Sequence, residues 1–124
     1  MNTKRPVNLD LASVRLPPAA FVSILHRISG VFLFLAIAPF LYGLELSLQS
    51  PADFEHCLAC LQSTGAKCVA WLLLTGLGYH FVAGIRHLVM DMGVADSRQA
   101  GEKTAWLTLS LSLVLSIMVG VWIW

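Results

Sequence analysis

The sequence predicts an all-α membrane protein with three transmembrane helices, and three observations lead there. The 124 residues are 57% hydrophobic and only 12% charged, with a mean hydropathy of +0.76, far from the composition of a soluble globular domain. Three stretches, Ile28 to Leu44, Cys68 to Ile85 and Ala105 to Trp124, contain no charged residue. Roughly 20 apolar residues, within a range of about 17 to 25, suffice for a helix to cross a bilayer. The basic residues are also unevenly divided. Lys4, Arg5, Arg15 and Arg27 precede or open the first stretch, Arg86, Arg98 and Lys103 lie between the second and third, and only Lys67 falls on the other side. That excess puts the N-terminus and the second loop in the cytoplasm, or its mitochondrial equivalent, and the C-terminus outside. A net charge of +1 carries no signal for a nucleic-acid partner.

Residues 1–21 hold Pro6, Pro17 and Pro18, which suits an extended or turn-rich cytoplasmic arm. A secretory signal is the rival reading, with Ala36-Ile37-Ala38 imitating a cleavage site, but Pro39 would follow the cut and the apolar run continues to Leu44. The leader is neither Arg/Ser-rich nor free of acid, so a bacterial inner membrane is a simpler address than an organelle. The first span is placed at about 22–48 because Ser23 to Arg27 continue the apolar helical pattern, their charged heads snorkelling or facing protein. Ser50-Pro51-Ala52-Asp53 ends it and can cap a short interfacial helix to about residue 62. Ser63-Thr64-Gly65 breaks the pattern before the second span, about 66–92. Gly93, Asp96, Ser97 and Gly101 suit a tight cytoplasmic connection to the third span, about 103–124. That span alternates Leu with Thr and Ser, carries nothing that titrates, and reads as lipid contact and small-residue packing.

One residue stands out against this background. His80 lies inside the second span, where an unpartnered imidazole costs several kcal/mol and needs a reason. Spacings of four and three place Gly76, His80, Gly84, His87 and Asp91 on one helical face. Glycine a turn away on either side leaves a flat, backbone-lined surface for a planar ligand, for which haem is the evident candidate. Two readings of His80 are open: metal ligation, and a neutral histidine donating a hydrogen bond across helices. At the start of the first span Ser23, His26, Arg27 and Gly30 share a face by the same spacing. With both clusters at the cytoplasmic edge, Arg86, His87 and Asp91 are expected to meet them. Such a set offers cations for carboxylates, and hydroxyl, guanidinium and carboxylate groups able to bind and protonate a carbonyl. For Arg27, Arg86 and His87 interfacial anchoring is the competing reading. Cys57-Leu58-Ala59-Cys60 follows His56, the wrong side for c-type haem attachment, which leaves a disulfide or two inert thiols in the outer loop. Cys68 is expected to pack.

These motifs resemble the cytochrome b subunits of succinate dehydrogenase, the larger of the two small membrane anchors of respiratory complex II. The resemblance covers nearly the whole chain, through Arg5-Pro6-Val7-Asn8-Leu9-Asp10-Leu11, Ser23-Ile24-Leu25-His26-Arg27-Ile28-Ser29-Gly30 and His80 to Asp91. It implies a three-helix subunit bundled with a second three-helix anchor, haem b held between them, and iron–sulfur and flavoprotein subunits docked on the cytoplasmic face. His80 matches the axial-ligand position, the other axial histidine coming from the partner anchor. His26, Arg27 and His87 resemble residues near the propionates, with Gly84 beside the haem. Ser23 and Arg27 match the ubiquinone-site residues, and Asp91 lies close to that site. A haem-free structural anchor of a dehydrogenase or fumarate reductase is the alternative from a different class. A small transporter subunit ranks last, because nothing polar beyond scattered Ser and Thr lines the outer half of the helices.

Overall fold

The computed structural model describes residues 16–94 and 97–124, which form four helices: α1 (Pro18–Ser47), α2 (Pro51–Leu61), α3 (Thr64–Asp91) and α4 (Arg98–Ile123). Most of the expected arm, with its Arg5 to Leu11 motif, and Asp96 lie outside the described residues. At 30, 28 and 26 residues α1, α3 and α4 are long and apolar enough to cross a membrane. The short α2 joins the first two.

Local signals explain where each helix begins. Pro17 is extended and its carbonyl accepts from Ala20 N and Phe21 N at 2.9 and 3.1 Å, with Pro18 at the first helical position. Proline is suited to that position because its φ is preset and its missing N–H is one of the unpaired groups anyway. Residues 18–21, expected in the arm, are therefore helical. The helix runs on through Pro39 to Ser47. Ser50 caps α2 by accepting from Asp53 N at 3.1 Å, as its spacing predicts. Ser63 is a cap and not only a break: it accepts from Ala66 N at 3.2 Å, and α3 starts at Thr64.

The turn after α3 is closed by Gly93 at φ +78°, with Val94 N donating back to Val89 O at 3.3 Å. That left-handed position favours glycine. Ser97 then caps α4 through Ala100 N at 3.2 Å, so α4 opens five residues ahead of the expected position. Gly101, expected in the connection, is buried in its first turn.

Helices α1, α3 and α4 pack around a small core in which Val22, Ala83 and Ala105 are fully buried and Ala19, Tyr79 and Leu109 surround them. The face of α4 turned inward is Gly101, Ala105, Thr108, Ser112 and Ser116. Small residues let helix backbones approach, which is the main source of packing energy where lipid is as apolar as leucine. Polar groups tie α3 to both α4 and α1. Trp71 Nε1 donates to Ser116 O at 3.0 Å, Thr75 Oγ1 and Ser116 Oγ bond at 3.0 Å, and Tyr79 OH donates to Val22 O at 2.8 Å.

Candidate functional site

The α1 and α3 motifs meet through their histidines. His80 Nδ1 lies 3.2 Å from His26 O and 3.0 Å from Ser29 Oγ, while Ser29 Oγ itself donates to His26 O at 2.8 Å. A carbonyl only accepts, and the serine hydrogen is already directed at it, so the network assigns the proton to Nδ1. Nε2 of His80 is left with its lone pair. The His26 ring stacks on His80 with centroids 4.2 Å apart and planes 20° apart, and His87 approaches His26 at 5.0 Å with a 46° tilt. His26 Nε2 is buried without a hydrogen-bond partner among the described residues.

Gly30 permits this approach, while Gly84 and Gly76 lie in ordinary contact with side chains of α1. A Cβ at Gly30 would stand 3.1 Å from His80 Cε1, and one at Gly84 would stand 3.5 Å from His26 Nε2. One at Gly76 would meet the Phe32 ring at 3.5 Å. The surface expected to be bare beside His80 is thus covered at Gly76 and Gly84 by side chains of α1. At 3.5 Å these are ordinary contacts, so packing inside this chain does not by itself call for glycine at 76 or 84.

Other expected members fall as follows. Arg27 Nη2 donates to Ser23 Oγ at 3.4 Å, the convergence predicted from their spacing of four. Arg27 is exposed, open to a further ligand. Asp91, the last residue of α3, is exposed and makes no hydrogen bond or ion pair with the histidines or Arg27. Arg86 turns away altogether: its Nε donates to Thr104 Oγ1 at 3.2 Å and its Nη2 to Gly101 O at 3.1 Å, both on α4. Helical geometry accounts for the split, since neighbours such as Arg86 and His87 point about 100° apart.

Ser29 and Tyr79 were not singled out in the sequence, although Ser29 follows His26 by three, the spacing at which its hydroxyl reaches the His26 carbonyl. Cys57, Cys60 and Cys68 are free thiols, with Cys60 Sγ 3.8 Å from His56 Nε2. Among the described residues no three His, Cys, Asp or Glu side chains gather as a metal site. What the arrangement offers is one oriented imidazole lone pair, a second unpartnered ring nitrogen beside it, and a hydroxyl–guanidinium pair a turn nearer the end of the helix.

Comparison with known proteins points to one family. The family model described as "Succinate dehydrogenase/Fumarate reductase transmembrane subunit" matches residues 1–119. A Coxiella burnetii protein named succinate dehydrogenase cytochrome b556 subunit is 42% identical over the full length of both chains. A Paracoccus denitrificans protein of the same name is 32% identical over 92% of this chain and 88% of its own. A Reclinomonas americana protein named succinate dehydrogenase cytochrome b560 subunit is 31% identical over 95% and 85%.

Proposed function

The chain belongs to the succinate dehydrogenase/fumarate reductase transmembrane subunit family, and from that membership we propose that it is the haem-bearing membrane anchor of a succinate:ubiquinone oxidoreductase. In this reading it pairs with a second small anchor in a bacterial inner membrane, N-terminus cytoplasmic and C-terminus periplasmic. Iron–sulfur and flavoprotein subunits dock on the cytoplasmic side, and succinate is oxidised on them and not on this chain.

The observation that carries the reading is the hydrogen bonding of His80. Metal-bound histidines commonly donate the other ring N–H to a carbonyl or carboxylate, which fixes the tautomer and the ring orientation. His80 has that arrangement, with Nδ1 on His26 O and Nε2 free. The residues therefore fit a b-type haem, to which a second anchor would contribute the remaining protein ligand. His80 would hold the iron through Nε2, and Arg27, His26 and His87 would face the propionates, with Gly84 alongside. When bound, haem b supplies a one-electron site beside the quinone.

The quinone chemistry falls to the edge of α1. Ser23 Oγ donates to a ubiquinone carbonyl oxygen, and the Arg27 guanidinium stabilises negative charge gathering on that oxygen during reduction. Asp91, exposed at the end of α3, takes protons from cytoplasmic water and passes them toward the quinol oxygens. Quinone reductase activity of Ser23→Ala and Arg27→Leu complexes tests this assignment. Both are expected to lose at least about tenfold, the scale of one charged hydrogen bond, while succinate oxidation by an artificial dye acceptor persists. Unchanged quinone reduction in both refutes it.

One observation favours the haem-free anchor as the second reading, because His80 does bond across to α1 as a packing histidine would. A reduced-minus-oxidised spectrum of the assembled complex separates the two. A b-type band lost in His80→Ala supports haem, and no band supports the structural anchor.

A further inference from the structure

Two hydrogen bonds run from α3 to the main chain of α1, and they start from neighbouring residues. Tyr79 OH donates to Val22 O at 2.8 Å, and His80 Nδ1 to His26 O at 3.2 Å. The first is the shortest side-chain hydrogen bond between helices among the described residues. Inside a helix Val22 O already accepts the N–H four residues on, and its second lone pair is free to receive the tyrosine. The bond therefore costs α1 none of its own ladder.

The two carbonyls stand one turn apart on α1, about 6 Å at 1.5 Å per residue. Two points so spaced fix what one cannot, because a slide of α1 by one residue, about 1.5 Å with a turn of about 100°, takes both carbonyls away from their donors. The peptide groups held in this way are Val22–Ser23 and His26–Arg27. Each leads into one member of the pair whose hydroxyl and guanidinium meet at 3.4 Å. Ser23 is in the second turn of a helix that starts at Pro18, where fraying is easiest without an outside hold. Val22, fully buried with Ala83 and Ala105, supplies a rigid point to hold.

We propose that Tyr79 is a positioning residue for the quinone edge: through Val22 O its hydroxyl sets the register of α1 on α3 and keeps Ser23 and Arg27 in the geometry that meets a quinone carbonyl. This role rests on the reading of Ser23 and Arg27 as quinone contacts, and Tyr79 acts only through them. Ring and hydroxyl are separable. The ring packs against the Val22, Ala83 and Ala105 core, so Tyr79→Phe keeps that contact and deletes only the bond. The carbonyl left behind retains its helical N–H, so no buried group is orphaned.

The test is steady-state kinetics of the full complex with a short-chain ubiquinone, comparing wild type, Tyr79→Phe, Ser23→Ala and the double variant, with dye-linked succinate oxidation confirming assembly of each. Tyr79→Phe is expected to lower kcat/KM for the quinone about fivefold, the scale of one neutral hydrogen bond, at an unchanged dye-linked rate. Because Tyr79 acts through Ser23, the double variant is expected to lose less than the product of the two single losses. A bond that served stability alone would lower the thermal midpoint and leave kcat/KM at the wild-type value. Wild-type kcat/KM in Ser23→Ala strikes the quinone contact itself, and the role of Tyr79 with it. An impaired Ser23→Ala beside a wild-type Tyr79→Phe, losses that multiply in full, or failure of Tyr79→Phe to assemble overturns the role of Tyr79 alone.

Discussion

At the scale of single residues the site turns on close contacts and on hydrogen bonds of 2.8 to 3.2 Å. Gly30 is the clearest case: a Cβ there would stand 3.1 Å from His80 Cε1, tighter than ordinary contact, so the imidazole must shift. Gly30→Val is therefore expected to weaken or displace the haem spectrum of the assembled complex, whereas Gly43→Ala, with nothing within 4 Å of its Cβ, leaves it unchanged. Equal spectra in the two variants would contradict the packing described. Ser29→Ala removes the hydroxyl that bonds His80 Nδ1 but leaves the His26 carbonyl in place. It is expected to shift the haem potential without abolishing the band, checked by redox titration. Much of this was legible in advance. Spacings of three and four identified Ser23 with Arg27, and His80 with Gly84 and His87. The direction of Arg86 was not, because its charge drew attention to the polar cluster. Yet Tyr79, Ala83 and Arg86 follow one another at four and three, and a small Ala83 between them marks the stripe on which Ala83 and Arg86 are buried.

At the scale of elements, caps and small residues decide what length and hydropathy leave open. Charge-free runs locate the spans but not their ends, because the amphipathic first and last turns carry charge. Ser97 shows the consequence: it caps an α4 that opens seven residues before the charge-free run at Ala105, and so brings Gly101 and Thr104 within reach of Arg86. Ser97→Ala is expected to cost about 1 kcal/mol, a typical loss for a cap, read as a lower midpoint of thermal inactivation of the complex. Along the α3–α4 seam Ser116 and Ser112 make a matched pair. Ser116 Oγ bonds Thr75, while Ser112 Oγ is buried without a partner among the described residues. Ser116→Ala is expected to destabilise by about 0.6 kcal/mol, the average for such bonds inside membranes, and Ser112→Ala to be neutral or slightly stabilising. The reverse order in a detergent-unfolding titration would count against the seam as described.

At the scale of the whole molecule the chain has almost no core of its own. Among the described residues only three hydrophobic side chains are fully buried, while Phe34, Phe40 and Trp122 stay 73%, 68% and 79% exposed. Lipid and partner subunits are what such surfaces face, and no sequence pattern separates the two, since both ask for apolar side chains. The number of spans was readable from composition because hydrocarbon tolerates few charges; the partner-facing side was not. Orientation is testable through the free thiols. Cys57 and Cys60, on α2 between the first two spans, are expected to react with a membrane-impermeant maleimide from the periplasmic side of spheroplasts. Labelling only in inverted vesicles would reverse the topology. The heart of the matter is His80, an imidazole whose Nδ1 is tied to α1 and whose Nε2 makes no hydrogen bond among the described residues, the nitrogen proposed to hold the iron. The most direct measurement is the reduced-minus-oxidised spectrum of the purified complex, wild type beside His80→Ala, with dye-linked succinate oxidation confirming assembly of both. A b-type band present in wild type and absent in the assembled variant is expected; a band of equal intensity in both, or none in wild type, contradicts the assignment.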